Sequence, residues 1–156
     1  MLENSVPFFA ANPDKLQLFT DGGQIISTGA KSFSHEYRYT LNLIVTDYAE
    51  DIATLTVPLL AYLRNAQPEL FENPARREDA LKFEMDYNNN LTADISIEIK
   101  LTERVVAKET KDGEIRIDYA PEPLWEQSPE RLRIYLQNTE QLIFGSKPPK
   151  TNKRAG

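Results

Sequence analysis

Two long stretches of the chain alternate between apolar and polar residues, the pattern of a half-buried β-strand. Residues 33–46 carry bulky side chains at every odd position, from Phe33 to Val45, and polar ones at most even positions. Residues 91–102 repeat the pattern, with apolar residues at every odd position from Leu91 to Leu101. Side chains alternate across a strand, so each stretch has one apolar face. We expect the rest of the chain to pair with these two strands or to cover them.

Between the two strands the apolar residues change to the spacing of one helical stripe. The stripe consists of Ile52, Leu55, Leu59, Leu63 and Ala66. Pro58 lies inside it, so the helix either begins near Thr56, with Pro58 in its first turn, or begins earlier and is kinked. Gln67-Pro68 is expected to end this main helix. Residues 69–79 are charged and contain proline, which predicts an exposed loop with at most a helical turn.

The N-terminal third predicts a short helix followed by a hairpin. Residues 5–11 form a short apolar patch, and Pro7 and Pro13 limit it to a couple of helical turns that pack on the sheet. Asp21-Gly22-Gly23 separates two short apolar segments, 16–20 and 25–28, and favours a hairpin turn between them. These glycines lack the spacing of a phosphate-binding loop.

A third strand, Leu81–Tyr87, leads into the second long one through three asparagines, Asn88 to Asn90. A three-residue turn would place Tyr87 opposite Leu91 and keep the apolar side chains on one face. The same register would place Glu84 opposite Asp94, a pair of like charges that is normally unfavourable.

Two more strand pairs are predicted toward the C-terminus. Segments 105–110 and 115–119 flank Lys111-Asp112-Gly113-Glu114, where Asp-Gly is a strong hairpin signal. Apolar residues in 132–136 and 142–144 indicate a final pair around residues 137–140.

These elements predict a single α+β domain over residues 1–145. It would contain a mostly antiparallel or mixed sheet of long strands, packed by one main helix and a short N-terminal helix, with a β-hairpin arm. Residues 146–156 are polar, proline-bearing and basic, and we expect them to form a mobile tail.

Composition narrows the classes of function. The chain has 156 residues and a formal net charge of −6, which argues against a protein whose whole surface grips phosphate backbones. It has no cysteine, which excludes disulfides and thiolate sites and suits a reducing cytoplasm. The first residues lack the basic start of a signal peptide, and their apolar run is too short for a membrane anchor.

An acidic cluster is the strongest candidate for chemistry. It consists of Glu84, Asp86, Asp94 and Glu98. Converging carboxylates could hold a hard cation such as magnesium or calcium, or act as an acid/base pair. Period-two strands also place such charges on a solvated or subunit-facing surface, which is the more common outcome. A third possibility is repulsion of DNA phosphates in a lumen.

Three other features have weaker functional interpretations. His35 is the one histidine and lies between bulky neighbours, so packing or hydrogen bonding is favoured over catalysis. Tyr37, Tyr39 and Tyr87 could stack on nucleic acid bases, but their phase in the strands favours the core. A basic tail could touch DNA or an acidic partner, or could simply be solvated. Its cations are Lys147, Lys150, Lys153 and Arg154.

The run from Tyr37 to Leu70 strongly resembles the tail completion protein R (GpR) family of Peduovirus-type temperate phages with contractile tails. Similar pieces before and after this run continue the match in order along nearly the whole chain. They are Asp21-Gly22-Gly23 with Ser27-Thr28, Tyr87-Asn88-Asn89-Asn90, Asp94-Ile95-Ser96-Ile97, Leu101-Thr102-Glu103-Arg104 and Pro121-Glu122-Pro123. Residues 147–156 look like an individual extension beyond the family pattern.

The resemblance implies a structural virion protein that completes the head-proximal end of the tail and prepares it for head joining. It implies a ring-like homo-oligomer, expected to be a hexamer, that contacts tube, sheath and other completion proteins. It brings no catalytic, cofactor-binding or metal-binding residues, no membrane partner, and DNA at most passing through a lumen. The expected location is the virion, with assembly in the bacterial cytoplasm. The alternatives are a small metal-dependent enzyme that uses the acidic cluster and a nucleic-acid-binding module.

Overall fold

The computed structural model describes residues 2–27, 29, 32–88, 91–120, 131–136 and 139–145. The helices are α1 (Leu2–Ser5), α2 (Pro7–Ala11), α3 (Ala53–Ala66), α4 (Glu69–Glu72) and α5 (Pro74–Arg77). The strands are β1 (Leu16–Ser27), β2 (His35–Tyr48), β3 (Leu81–Tyr87), β4 (Ala93–Glu109), β5 (Ile115–Tyr119), β6 (Arg131–Leu136) and β7 (Thr139–Gly145). A single 3-10 turn, Pro13–Lys15, joins α2 to β1. The predicted α+β class is confirmed.

β4 is the strand on which the main sheet is built. The sheet is antiparallel in the order β1-β2-β4-β3, and β5 also pairs with β4. β3 pairs with residues 93–99 of β4 and β5 with residues 105–109. Backbone hydrogen bonds from Lys100 to Ala80 and from Ala120 to Arg104 both involve even-numbered β4 residues. β3 and β5 therefore follow one another along the same edge of β4, and β2 occupies the opposite edge.

The core lies between one face of this sheet and the helices. Odd-numbered residues of β4 face α3 and the N-terminal helices, and their cross-strand partners in β2 lie on the same side. The buried cluster contains Leu2, Val6, Phe9, Leu43, Val45, Tyr48, Leu55, Leu59, Leu63, Ile95, Ile97 and Ile99. Fully burying one such apolar side chain contributes about 1.5–3 kcal/mol, so this layer supplies most of the stabilisation.

The main helix begins before Thr56, at the earlier of its two predicted starts. α3 begins at Ala53, and Pro58 lies inside it as a buried residue, so the predicted start near Thr56 is wrong. Asp51 supports the first turn by accepting a hydrogen bond from the Ala53 backbone at 2.8 Å. The helix ends before Gln67, as predicted. The expected exposed loop that follows contains the two short helices α4 and α5.

The hairpin predicted around Asp21-Gly22-Gly23 is wrong, because β1 is one continuous strand of 12 residues. Both of its halves pair with the 14-residue β2. Thr20 pairs with Leu41 and Gly23 with Tyr39, so β1 carries one extra residue as a β-bulge. Because β2 is long enough to pair with both halves of β1, the Asp21-Gly22-Gly23 segment forms a bulge and not a turn.

The register predicted for β3 and β4 is wrong by two residues, although the bounds of β3 are as predicted. Tyr87 pairs with Ala93, and the connection closes through a hydrogen bond from the Asn88 backbone to Thr92, at 3.1 Å. The like-charge pair is therefore Asp86 with Asp94, and Glu84 lies opposite Ser96. A shift of two residues preserves the alternation, so the predicted faces are confirmed.

β4 continues to Glu109, so the first strand of the predicted hairpin arm is the C-terminal part of β4 and not a separate strand. The hairpin itself is confirmed, and its second strand β5 belongs to the main sheet. The terminal strand pair is confirmed as β6 and β7, which form a separate antiparallel sheet. Residues 137 and 138, the Pro121-Glu122-Pro123 segment and the predicted tail 146–156 lie outside the described residues.

Candidate functional surface

The face of the main sheet opposite to the core carries most of the candidate residues. We call it the open face; it consists of the even-numbered β4 side chains from Asp94 to Lys108 and their partners in β2, β3 and β5. Strand alternation places all of them on one side. The charged β3, β4 and β5 residues on this side are exposed, apart from a half-buried Asp94.

The acidic cluster lies on the open face at the β3–β4 hairpin, but one member has a structural role. Asp94 accepts hydrogen bonds from the Asp47 backbone N–H and from Asn88 Nδ2, each at 2.8 Å. The backbone hydrogen bond from Asp47, followed by that from Asn88, holds the pKa of Asp94 below its usual value. The other three carboxylates, Glu84, Asp86 and Glu98, are exposed.

Asp94 fastens the irregular end of β2. The ladder between β2 and β4 shifts between Val45 and Tyr48, and Asp47 has a positive φ of 54° there. This left-handed conformation is uncommon for a residue other than glycine, although aspartate tolerates it better than most. Lys15 Nζ also contacts Asp47 Oδ2 at 2.6 Å, and this hydrogen bond raises the pKa of Lys15. The network holds the bulge in place.

The carboxylates do not converge on a common point. Among the described residues, no three His, Asp or Glu side chains are grouped so that they could hold a metal ion. No helix within the same residues is long and apolar enough to span a membrane.

The opposite end of the open face is rich in cations. Arg104, Lys108 and Arg116 are exposed, and Lys108 lies directly opposite Arg116. Between the two ends, Lys82 and Lys100 both contact Asp79, at 3.0 and 3.5 Å. The contact with Lys82, followed by the charge of Lys100, lowers the pKa of Asp79.

His35 packs against a tyrosine. Its ring makes an edge contact with Tyr37 at 4.8 Å between centroids, and Nδ1 lies 3.0 Å from the Phe33 carbonyl oxygen. Nε2 is buried and has no hydrogen-bond partner among the described residues. The ring therefore presents no free, exposed nitrogen to a substrate, which fits the packing interpretation.

The three tyrosines do not share one environment. Tyr37 and Tyr39 are half-buried, and Tyr39 Oη donates to Glu103 Oε1 at 2.7 Å. Tyr87 is 76% exposed, so its predicted place in the core is wrong. It lies on the core side of β3, an edge strand that α3 leaves uncovered. The basic tail, with Lys147, Lys150, Lys153 and Arg154, lies outside the described residues.

Two polar side chains that sequence reasoning missed extend the hydrogen bonding of β4. Gln67 donates from Nε2 to the Thr102 carbonyl at 3.1 Å and accepts from the Thr102 N–H at 3.3 Å. Ser34 Oγ accepts from the Ala107 N–H at 3.0 Å, beyond the end of β2. Gln67 fills the gap between β3 and β5 on their shared edge. A glutamine at the end of a helical stripe offered no sequence signal for this role.

Apolar side chains remain exposed where the sheet extends past its helices. At about 1.5 Å per helical residue and 3.4 Å per strand residue, α3 spans about 21 Å and β4 about 58 Å. The uncovered core-side residues lie on the edge strands, and Ile25 and Ile117 are 72% and 63% exposed. The others are Leu18, Phe83, Tyr87, Ile115 and Tyr119. Such edges are typical protein-contact surfaces.

Comparisons with known proteins agree with one another. A family model described as P2 phage tail completion protein R (GpR) matches residues 1–123. The tail completion protein R of Escherichia phage P2 is 43% identical over 122 residues, which cover 78% of each chain. No solved structure gives a significant match.

Proposed function

Because the chain belongs to the phage tail completion protein R family, we propose that it is a structural virion protein that completes the head-proximal end of a tail and prepares it for head joining. The observation that carries this proposal is the 43% identity to the phage P2 protein, since the match covers most of both chains. The exposed sheet edges support it, because an assembly protein needs surfaces for neighbours.

In the proposed assembly, copies of the chain form a ring, expected to be a hexamer, at the end of the tail tube. The ring would contact tube and sheath proteins and the other completion proteins, with DNA at most passing through its lumen. Assembly would take place in the bacterial cytoplasm. The role is non-catalytic, and no cofactor is invoked.

The alternative of a metal-dependent enzyme has little support. Asp94 accepts hydrogen bonds from Asp47 and Asn88, and the remaining three carboxylates lie at exposed strand positions. The alternative of a nucleic-acid-binding module rests on the basic tail, which lies outside the described residues.

Deletion of the gene from its phage, followed by electron microscopy and an infectivity assay, tests the proposed function. We expect normal heads and DNA but free heads and unfinished or wrongly terminated tails. Purified protein added to the mutant lysate should restore infectivity in proportion to the amount added, because each virion consumes subunits.

Two results would contradict this function. One is a deletion lysate with normal tails joined to heads. The other is full rescue by trace amounts of protein, which would indicate a catalyst that acts on many particles.

A further inference from the structure

The open face is divided into an acidic half and a basic half. Along β4 its side chains run from Asp94 and Glu98, through Lys100, to Arg104 and Lys108. β3 adds Glu84 and Asp86 to the acidic half. In the basic half, four cations outnumber two anions. These residues are Arg38, Arg104, Lys108 and Arg116, with Glu36 and Asp118.

Each half contains a pair of like charges in direct cross-strand register. Asp86 lies opposite Asp94, and Lys108 lies opposite Arg116. Like charges directly opposite one another destabilise an isolated sheet. Both pairs would be relieved if opposite charges from another molecule lay over them.

The two halves cannot neutralise each other within one chain. Their centres, near residues 96 and 106, are ten residues or about 34 Å apart, and the screening length is about 8 Å at physiological ionic strength. At the boundary, Lys82 and Lys100 are already paired with Asp79. Arg38 Nε likewise contacts Glu36 Oε1 at 2.6 Å, which leaves Arg104, Lys108 and Arg116 against Asp118 in the basic half. The uncompensated charge therefore lies at the two ends.

We infer that the open face binds the open face of a second copy of this chain, with the two β4 strands running in opposite directions. A two-fold axis that lies between the two faces and is perpendicular to β4 places the acidic half of each copy against the basic half of the other. One interface therefore neutralises the excess charge of both halves. A second copy fits better than nucleic acid, because a phosphate backbone would match one half and be repelled by the other. The pair leaves the exposed edges of β1, β3 and β5 available for ring contacts.

Charge reversal tests this pairing without disturbing the core. In one variant Glu84→Lys, Asp86→Lys and Glu98→Lys reverse the sign of the acidic half and leave the hydrogen-bonded Asp94 in place. In a second variant Arg104→Glu and Arg116→Glu reverse the sign of the basic half. A third variant carries all five substitutions, which restores complementarity with the signs exchanged. The control, Glu50→Lys with Glu72→Lys, reverses two exposed charges away from the sheet.

Sedimentation of the full chain at low and high salt measures the self-association constant. We expect the parent to associate at low salt and to weaken as salt is raised. Each half-reversed variant should associate about tenfold or more weakly, whereas the five-substitution variant should regain parental association. The control should associate as the parent does. An equimolar mixture of the two half-reversed variants should form mixed pairs. Far-UV circular dichroism spectra of all variants that match the parent spectrum would show that folding is unaffected.

Three outcomes would overturn the pairing. They are a parent that stays monomeric at low salt, half-reversed variants that associate as the parent does, and a five-substitution variant that fails to recover. A parent that does not self-associate but binds a short DNA duplex through Arg104 and Arg116, in a salt-sensitive way, would assign the face to nucleic acid instead. The proposed function is tested separately, by the infectivity of the deletion lysate. The pairing can therefore fail in sedimentation while the proposed function stands, and the reverse.

Discussion

At the scale of single residues, close approach and hydrogen bonding decide positions that look unremarkable in the sequence. Gly23 lies at the β1 bulge, where a Cβ would be 2.7 Å from the Arg38 carbonyl oxygen. Its neighbour Gly22 has open space around it. Asp94 and Asp47 hold a second bulge through their hydrogen bond. Bulges therefore depend on a few specific atoms.

We predict that Gly23→Ala lowers the free energy of unfolding by about 1–3 kcal/mol, because the added methyl group is pressed against backbone that must shift. Denaturant unfolding monitored by circular dichroism measures the loss. The matched control, Gly22→Ala, should change stability by less than about 0.5 kcal/mol. Equal losses in the two variants would mean that the bulge is not packed as described.

The lowered pKa of Asp94 predicts a pH dependence of the stability. Its lowered pKa in the folded state contributes stability above the pKa of the unfolded chain, about 3.9, and that contribution is lost as pH falls through the folded-state pKa. Asp94→Asn should therefore be less stable than the parent at pH 7, with the difference shrinking below about pH 4. Thermal melts at both pH values measure it, with Asp112→Asn in the exposed β4–β5 turn as control. A difference that stays constant or grows on acidification would contradict this role.

At the scale of elements, the architecture follows from the length of β4. It is too long for any one neighbour on its β3 edge, so β3 and β5 divide that edge and a side chain fills the gap. The Gln67 amide pairs with both backbone groups of Thr102 there. The helix layer is likewise too short, which leaves apolar residues of the edge strands exposed.

We predict that Gln67→Ala lowers the free energy of unfolding by about 1–3 kcal/mol, because it leaves backbone groups of Thr102 without a partner. Chemical denaturation and hydrogen exchange of the Thr102 amide measure the effect. Gln24→Ala, an exposed position in β1, should change little. A loss below about 0.5 kcal/mol in Gln67→Ala would mean that water replaces the glutamine amide at no cost.

At the scale of the whole molecule, one sheet presents three kinds of surface. The helix side is a core, the edges carry exposed apolar residues, and the open face is charged with opposite signs at its two ends. A subunit of an assembly needs several such surfaces at once. We propose that residues 1–145 form the domain that carries them and that residues 146–156 are an accessory tail.

The domain proposal predicts different effects of two truncations. Removing residues 147–156 should leave rescue of a deletion lysate nearly unchanged, whereas ending the chain at residue 130 should reduce it strongly. The reason is that β6 and β7 pair with each other, and their sequence has apolar strand spacing able to pack on the body or a neighbour. Infectivity per amount of protein added is the measurement. Equal rescue by both truncations would remove 131–145 from the functional domain.

The sequence by itself determined the faces of the strands and the presence of the main helix. Period-two alternation places Ile95, Ile97 and Ile99 on one face, and they remain in the core when the register shifts by two residues, because such a shift keeps the same face. The family was likewise recognisable from the run beginning at Tyr37, and the comparisons confirm it.

Only the tertiary structure decided register, continuity and coverage. The β3–β4 register depends on how the connection closes at Asn88 and Thr92, and the continuity of β1 depends on a partner long enough to hold both halves. The like-charge pair on the open face required the register, because Asp86 meets Asp94 only once β3 is aligned. These features depend on distances between segments far apart in the chain, which local patterns do not encode.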